Sequence, residues 1–274
     1  MVGDVQAELT RLQVQHRWIQ MCLKDKIVFA PVDITRDGLK VLDMGCADGI
    51  SEYFYGTCRS RCRFHHPRTW SAQMFQPVFL PTSAQGSIHY VTHDVCDPLA
   101  GDLKVHFDLT HVRNVLHSAH RSGVEQAVAN LVETLAPGGW LQIMEFDITP
   151  GQPNQPQSLR DLLHIVGSLF EKQGIDRNYA SKIPEAMKMA GLQNVKAERV
   201  ECGIGKVQGE EVAIKSSIEP FMYTIPLVAK SIQMLIPAMD PAIYTNLEER
   251  YMKEMTEQGG FVSANIFFAE KPLA

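Results

Sequence analysis

A chain of 274 residues with 45% hydrophobic content can bury a substantial core, which suits one large domain, or a domain with a lid, better than two independent domains. A net charge of −5 and an isoelectric point near 6.1 leave no overall basic excess for gripping phosphate backbones, so nucleic acid is not the expected partner. No apolar run approaches the roughly 20 residues that span a bilayer, and the six cysteines suit reduced thiols; the chain is read as cytoplasmic, without a membrane partner, its oligomeric state open.

Residues 4–24 carry Val5, Leu9, Leu12, Trp18, Ile19 and Leu23 among polar residues, which predicts an amphipathic helix. After Pro31 and Gly38 comes Leu39-Lys40-Val41-Leu42-Asp43, a short strand that ends in an acid and a glycine turn, Met44 to Gly49, opening into a helix at Ile50. Ser87–Thr92 and Val105–His111 read as further strands. Val124, Ala127, Val128, Leu131, Val132 and Leu135 form one apolar helical stripe, and Pro137-Gly138-Gly139 reads as a tight turn into a strand at Trp140–Phe146. Beyond a loop at 150–157, helices are predicted at 158–173 and 178–190, a strand at 194–204, a mostly helical stretch at 210–257 and a final strand at Phe261–Ala269. Strands alternating with helices predict a parallel sheet covered on both faces.

Four segments fit ligand chemistry. The turn Asp43-x-Gly45-x-Ala47-x-Gly49 has the small residues that let backbone approach a nucleotide-like ligand, but its spacing does not match the dinucleotide fingerprint. Asp94 follows the Ser87–Thr92 strand, where a carboxylate could accept an exocyclic amine or simply cap a loop. His111 to His117 follows the next strand, on the side where open parallel sheets hold ligands. Ala136-Pro137-Gly138-Gly139-Trp140 leads into the strand after the amphipathic helix.

These segments, in this order, resemble the motifs of class I S-adenosylmethionine-dependent methyltransferases, and within them a fungal branch that methylates small-molecule secondary metabolites. Arg11 to His16 and Ala30-Pro31-Val32-Asp33 are also similar to that branch. The resemblance implies a Rossmann-like α/β fold with a seven-stranded, mostly parallel sheet, helices on both faces and N-terminal and C-terminal helical lids. It implies a lid over residues 1–38, a methyltransferase domain over 39–274 and a helical insertion near 210–257. It implies S-adenosylmethionine as cofactor, with Asp43, Gly45, Ala47 and Gly49 at its methionine and ribose, Asp94 and Val95 at adenine and Arg113 beside the sulfonium. Two other functions suit the same motifs: a methyltransferase-fold regulator or scaffold of secondary metabolism, and a cofactor-binding enzyme that catalyses a rearrangement.

The family pattern also places an acid after the second strand, for the ribose hydroxyls. Here no Asp or Glu occurs from Tyr53 to His93, and the corresponding place reads Arg63-Phe64-His65-His66-Pro67, a poor strand. Cys58, Cys62, His65 and His66 are metal-ligand types, but four within nine residues are too cramped for a tetrahedral site, so no metal is expected. Methyl transfer from a sulfonium needs a base only for a hydroxyl or a protonated amine; His117, Glu145 and His164 are the candidates.

Overall fold

The computed structural model describes residues 5–45, 63–66, 88–90, 93–99, 101–149 and 154–273. Helix α1 (Val5–Cys22) precedes strand β1 (Lys40–Met44). Strands β2 (Arg63–His66), β3 (Ile88–Tyr90) and β4 (Phe107–Arg113) follow. Then come α2 (Gly123–Thr134), β5 (Leu135–Phe146), α3 (Gln157–Lys172), α4 (Ile183–Met189) and β6 (Gln193–Ile204). Helices α5 (Glu211–Leu235), α6 (Pro241–Tyr244) and α7 (Leu247–Glu257) stand between β6 and the last strand, β7 (Gly260–Glu270). The sheet order is β3-β2-β1-β4-β5-β7-β6. Strands β1 to β5 pair in parallel, whereas β7 runs antiparallel to both β5 and β6. This is a Rossmann-like fold, a mixed sheet with helices.

Side chains alternate across the sheet, as the pleat requires. Val41, Leu109, Met144, Ile266 and Phe268 join a core with residues of α1, α3, α5 and α7. Leu42, Val112, Ile143 and Phe267 join a second core with residues of α2 and α4. Both faces of the central strands are covered, and polar Asp43, Thr110, His111, Gln142 and Glu145 are buried there with the apolar residues.

Three local expectations are corrected. The poor-strand segment at Arg63–His66 is strand β2, held by backbone pairing on both sides, Phe64 lying level with Val41 and with Ile88. Pro137-Gly138-Gly139 is part of β5 rather than a turn before it: Gly138 N–H donates to Lys271 O at 2.9 Å and Lys271 N–H to Gly139 O at 2.8 Å, so pairing with the C-terminal segment outweighs the local turn preference. Strand β4 starts at Phe107 because Val105 takes a left-handed φ of 51° and stands exposed. The helix expected from Ile50, with Ala47, Gly49, Cys58 and Cys62, lies outside the described residues.

The N-terminal segment is tied to this scaffold by buried polar contacts. Gln142, 1% exposed on β5, accepts from the Phe29 and Ala30 N–H groups at 2.6 and 3.0 Å and donates to Ile27 O at 2.7 Å. Trp18 of α1 donates its indole N–H to Gly203 O at 2.9 Å, stacks on Phe146 and meets Phe221 edge-on. Helix α1 therefore packs over the end of β5 and against α5. Among the described residues no helix is long and apolar enough to cross a membrane.

Candidate active site

Strand order reverses between β1 and β4, and the crevice outside the carboxyl ends of such a pair is where open α/β sheets bind ligands. Register places Asp43 level with His111 and Met44 level with Val112, so Gly45 and Arg113 stand together at the rim. Asp43, 3% exposed, and His111, 1% exposed, are joined at 2.9 Å between Oδ1 and Nδ1. From above, Arg113 Nη2 donates to His16 Nδ1 of α1 at 2.9 Å. Burial first, and then the Arg113 guanidinium, push the His16 imidazole down to about 3. His16 is thus neutral, accepts through Nδ1 and carries its proton on Nε2.

Gly45 has φ +85°, and a Cβ on it would lie 2.3 Å from Val115 Cγ2. The sequence reading gave this glycine to close approach of a ligand; in the structure its missing side chain makes room for Val115. The turn carrying Val115 is held by Glu145 at the end of β5. One carboxylate oxygen accepts from the Val115 and Leu116 N–H groups at 2.9 and 2.8 Å, and the other accepts from Tyr179 Oη at 2.7 Å. Burial pushes the Glu145 carboxyl up to about 7 against these bonds. Both oxygens are engaged within the protein.

His117 follows in a short 3-10 turn. Its ring stacks on Phe170, 3° from parallel with centroids 5.1 Å apart, and Phe170 in turn meets the Tyr179 ring. Burial, then the charge of Arg11 on α1, push His117 down to about 4. His164 lies half-buried on α3, the helix that also carries Glu171, itself paired with Arg177 at 2.6 Å.

Asp94 lies in the loop that follows β3 in the chain. One oxygen caps the Cys96 N–H at 2.9 Å and the other meets Arg121 Nη2 at 2.6 Å. Although partial burial opposes it, these donors hold the Asp94 carboxyl below its usual range. Val95 turns its side chain into the core, 1% exposed, so any contact it makes with adenine is through its backbone. Its carbonyl accepts from Asn130 Nδ2 at 2.9 Å, which pins the loop to α2.

Sequence reasoning missed His16, Tyr179 and Asn130 as parts of this neighbourhood. His16 had a signal: Leu12, His16, Ile19 and Leu23 fall on one helical stripe, so the imidazole had to be buried. Nothing local pointed to Tyr179.

A methyltransferase-domain family matches residues 13–197, more than half of the chain. The chain belongs to that family. It is an S-adenosylmethionine-dependent methyltransferase of the kind that acts on small molecules. Methyltransferase psoC of Aspergillus fumigatus is 29% identical over 97% of this chain and 95% of its own length. N-methyltransferase sirN of Leptosphaeria maculans is 23% identical over 97% and 92%. Among solved structures, a phosphoethanolamine N-methyltransferase of Haemonchus contortus in complex with S-adenosyl-L-methionine superposes with a TM-score of 0.52 at 15% identity, over 92% of this chain and 52% of that one. The chain thus spans about half the length of that structure, and the likeness is one of fold.

Proposed function

We propose that this methyltransferase modifies a nitrogen atom of a small, largely apolar secondary metabolite. The carrying observation is the weakness of two imidazoles near the rim, His16 near 3 and His117 near 4, together with a Glu145 carboxyl whose two oxygens are both engaged within the protein. An alcohol or phenol acceptor calls for a base near the working pH, whereas a neutral amine attacks unaided. The N-methyltransferase relative from Leptosphaeria fits this reading.

The described residues suit the cofactor by their chemistry. A carboxylate (Asp43) and a guanidinium (Arg113) at one rim complement an amino-acid zwitterion, Gly45 keeps the turn compact, and Asp94 offers a carboxylate for an exocyclic amine. Ala47 and Gly49 follow Gly45 in the sequence and are proposed for the same ligand. When bound, S-adenosylmethionine supplies a methyl group already activated on a sulfonium. The protein's part is then to align the amine and exclude water. Glu145 has a positioning role here, through Val115 and Leu116. Helix α1, within the N-terminal 1–38 segment, and the helices of the 210–257 insertion serve as the lid. Half-buried Phe221, Met222 and Tyr223 on α5 give that lid the adaptable surface an apolar acceptor needs.

The test is incubation with methyl-labelled cofactor and matched pairs of compounds, each amine beside the hydroxyl compound of the same skeleton. Label should enter the amines alone, with a rate that rises with pH along the amine's own titration. Label in the hydroxyl partners would overturn the proposal.

A further inference from the structure

Arg113 stands where a cofactor carrying a sulfonium has to bind, yet two cations repel. Of the charged groups on S-adenosylmethionine, the α-carboxylate is the anionic one, so a guanidinium at this rim is productive only if it is turned toward that carboxylate and away from the sulfur. An arginine side chain has many rotamers, and fixing one against alternatives takes a partner. The structure supplies one from the N-terminal helix, since His16 of α1, 3% exposed, takes Arg113 Nη2 at 2.9 Å. Asp43 lies close enough for its charge to act on the same imidazole, and Asp43 is tied to His111 in turn.

We propose that His16 is a positioning residue for the cofactor: it aims the Arg113 guanidinium at the methionine carboxylate, making helix α1 part of the cofactor site. This rests on the methyltransferase reading of the β1–β4 rim. A protonated imidazole could not accept from a guanidinium, and burial keeps the ring deprotonated across the working range. Arg17 also acts on it in the same direction, and Asp43 opposes them.

Calorimetric titration of the full chain with two probes separates the possibilities. S-adenosylhomocysteine carries the carboxylate, and 5′-methylthioadenosine lacks the whole amino-acid end. His16→Ala should weaken S-adenosylhomocysteine binding about tenfold or more and leave 5′-methylthioadenosine unchanged. The same loss should follow Arg113→Ala, and the double variant should lose little beyond either single one. His16→Asn, whose amide oxygen can accept in place of Nδ1, should recover most of the affinity, and it serves as the second variant if His16→Ala does not fold. Equal weakening of both probes, additive losses, or full affinity in a folded His16→Ala or His16→Leu protein would overturn the assignment. If the unaltered chain binds neither probe, the methyltransferase reading of the rim fails, and this proposal falls with it; if it binds both and His16 variants bind them equally well, only the role of His16 fails.

Discussion

Gly45 and Val115 share one volume: the position a Cβ would take on residue 45 lies 2.3 Å from Val115 Cγ2, with the glycine at φ +85°. Gly45→Ala therefore meets both a steric and a conformational penalty, and should lose roughly 2–4 kcal/mol of stability. Adding Val115→Ala removes the clash but not the left-handed φ, so the pair should regain part of the loss in urea melts. Gly45→Ala as stable as the unaltered chain would refute this packing. Cofactor affinity of the folded double variant then reports whether the glycine also serves the ligand.

Glu145 predicts a pH effect of definite sign. Its folded carboxyl titrates near 7 against about 4.5 when unfolded, so the folded state holds the proton more tightly. The stability it contributes is fully present below about pH 4.5 and is lost as pH rises to 7. Glu145→Gln removes that titration. The stability difference between the two proteins should shift by up to roughly 3 kcal/mol over this interval and stay flat above it. Parallel stability curves from pH 4.5 to 7 would show that the carboxyl is not perturbed.

Asp94 is divided between capping Cys96, pairing with Arg121 and the adenine amine proposed for it. Asp94→Ala should weaken S-adenosylhomocysteine binding by about 1–3 kcal/mol, the usual loss of a charged hydrogen-bond partner. An unchanged dissociation constant would return this aspartate to the loop.

Gln142 satisfies two N–H groups and one carbonyl of the 27–30 segment from within the sheet. Gln142→Met keeps the volume and strands all three, which should cost about 3 kcal/mol. Thermal unfolding checks it, and a midpoint within 1–2 °C of the parent, on the order of what a few tenths of a kcal/mol produces, would contradict it.

Much of this architecture was legible residue by residue. Leu39–Asp43, the stripe from Val124 to Val132 and the alternation near Phe261 each announce their element, because local period and burial agree there. Asp43, Gly45 and Arg113 were chosen from separate motifs, and parallel pairing of β1 with β4 brings them to one rim. What stayed hidden depends on distant partners. Arg63–His66 has no strand pattern of its own and is ordered by neighbours on each side. Gly138 and Gly139 look like punctuation until Lys271 pairs with them. Glu145 reads as a free carboxylate at a strand end, and only the fold brings Tyr179 and the Val115 turn onto its two oxygens. His16 could be placed on a buried face, but its partner is not written in any local spacing.

Helix α1 is made early and completed late. The carbonyl that receives the Trp18 indole belongs to Gly203, 185 positions further along, and Arg113, Gln142 and Phe221 must also exist before the N-terminal segment can dock. A chain emerging from the ribosome thus carries an apolar helix face with nothing to cover it until most of the sheet has been synthesised. Such long-range closure slows folding and leaves a nascent surface open to chaperones and to aggregation. The rim that holds Arg113 in place is, by this topology, among the last parts of the molecule to be assembled.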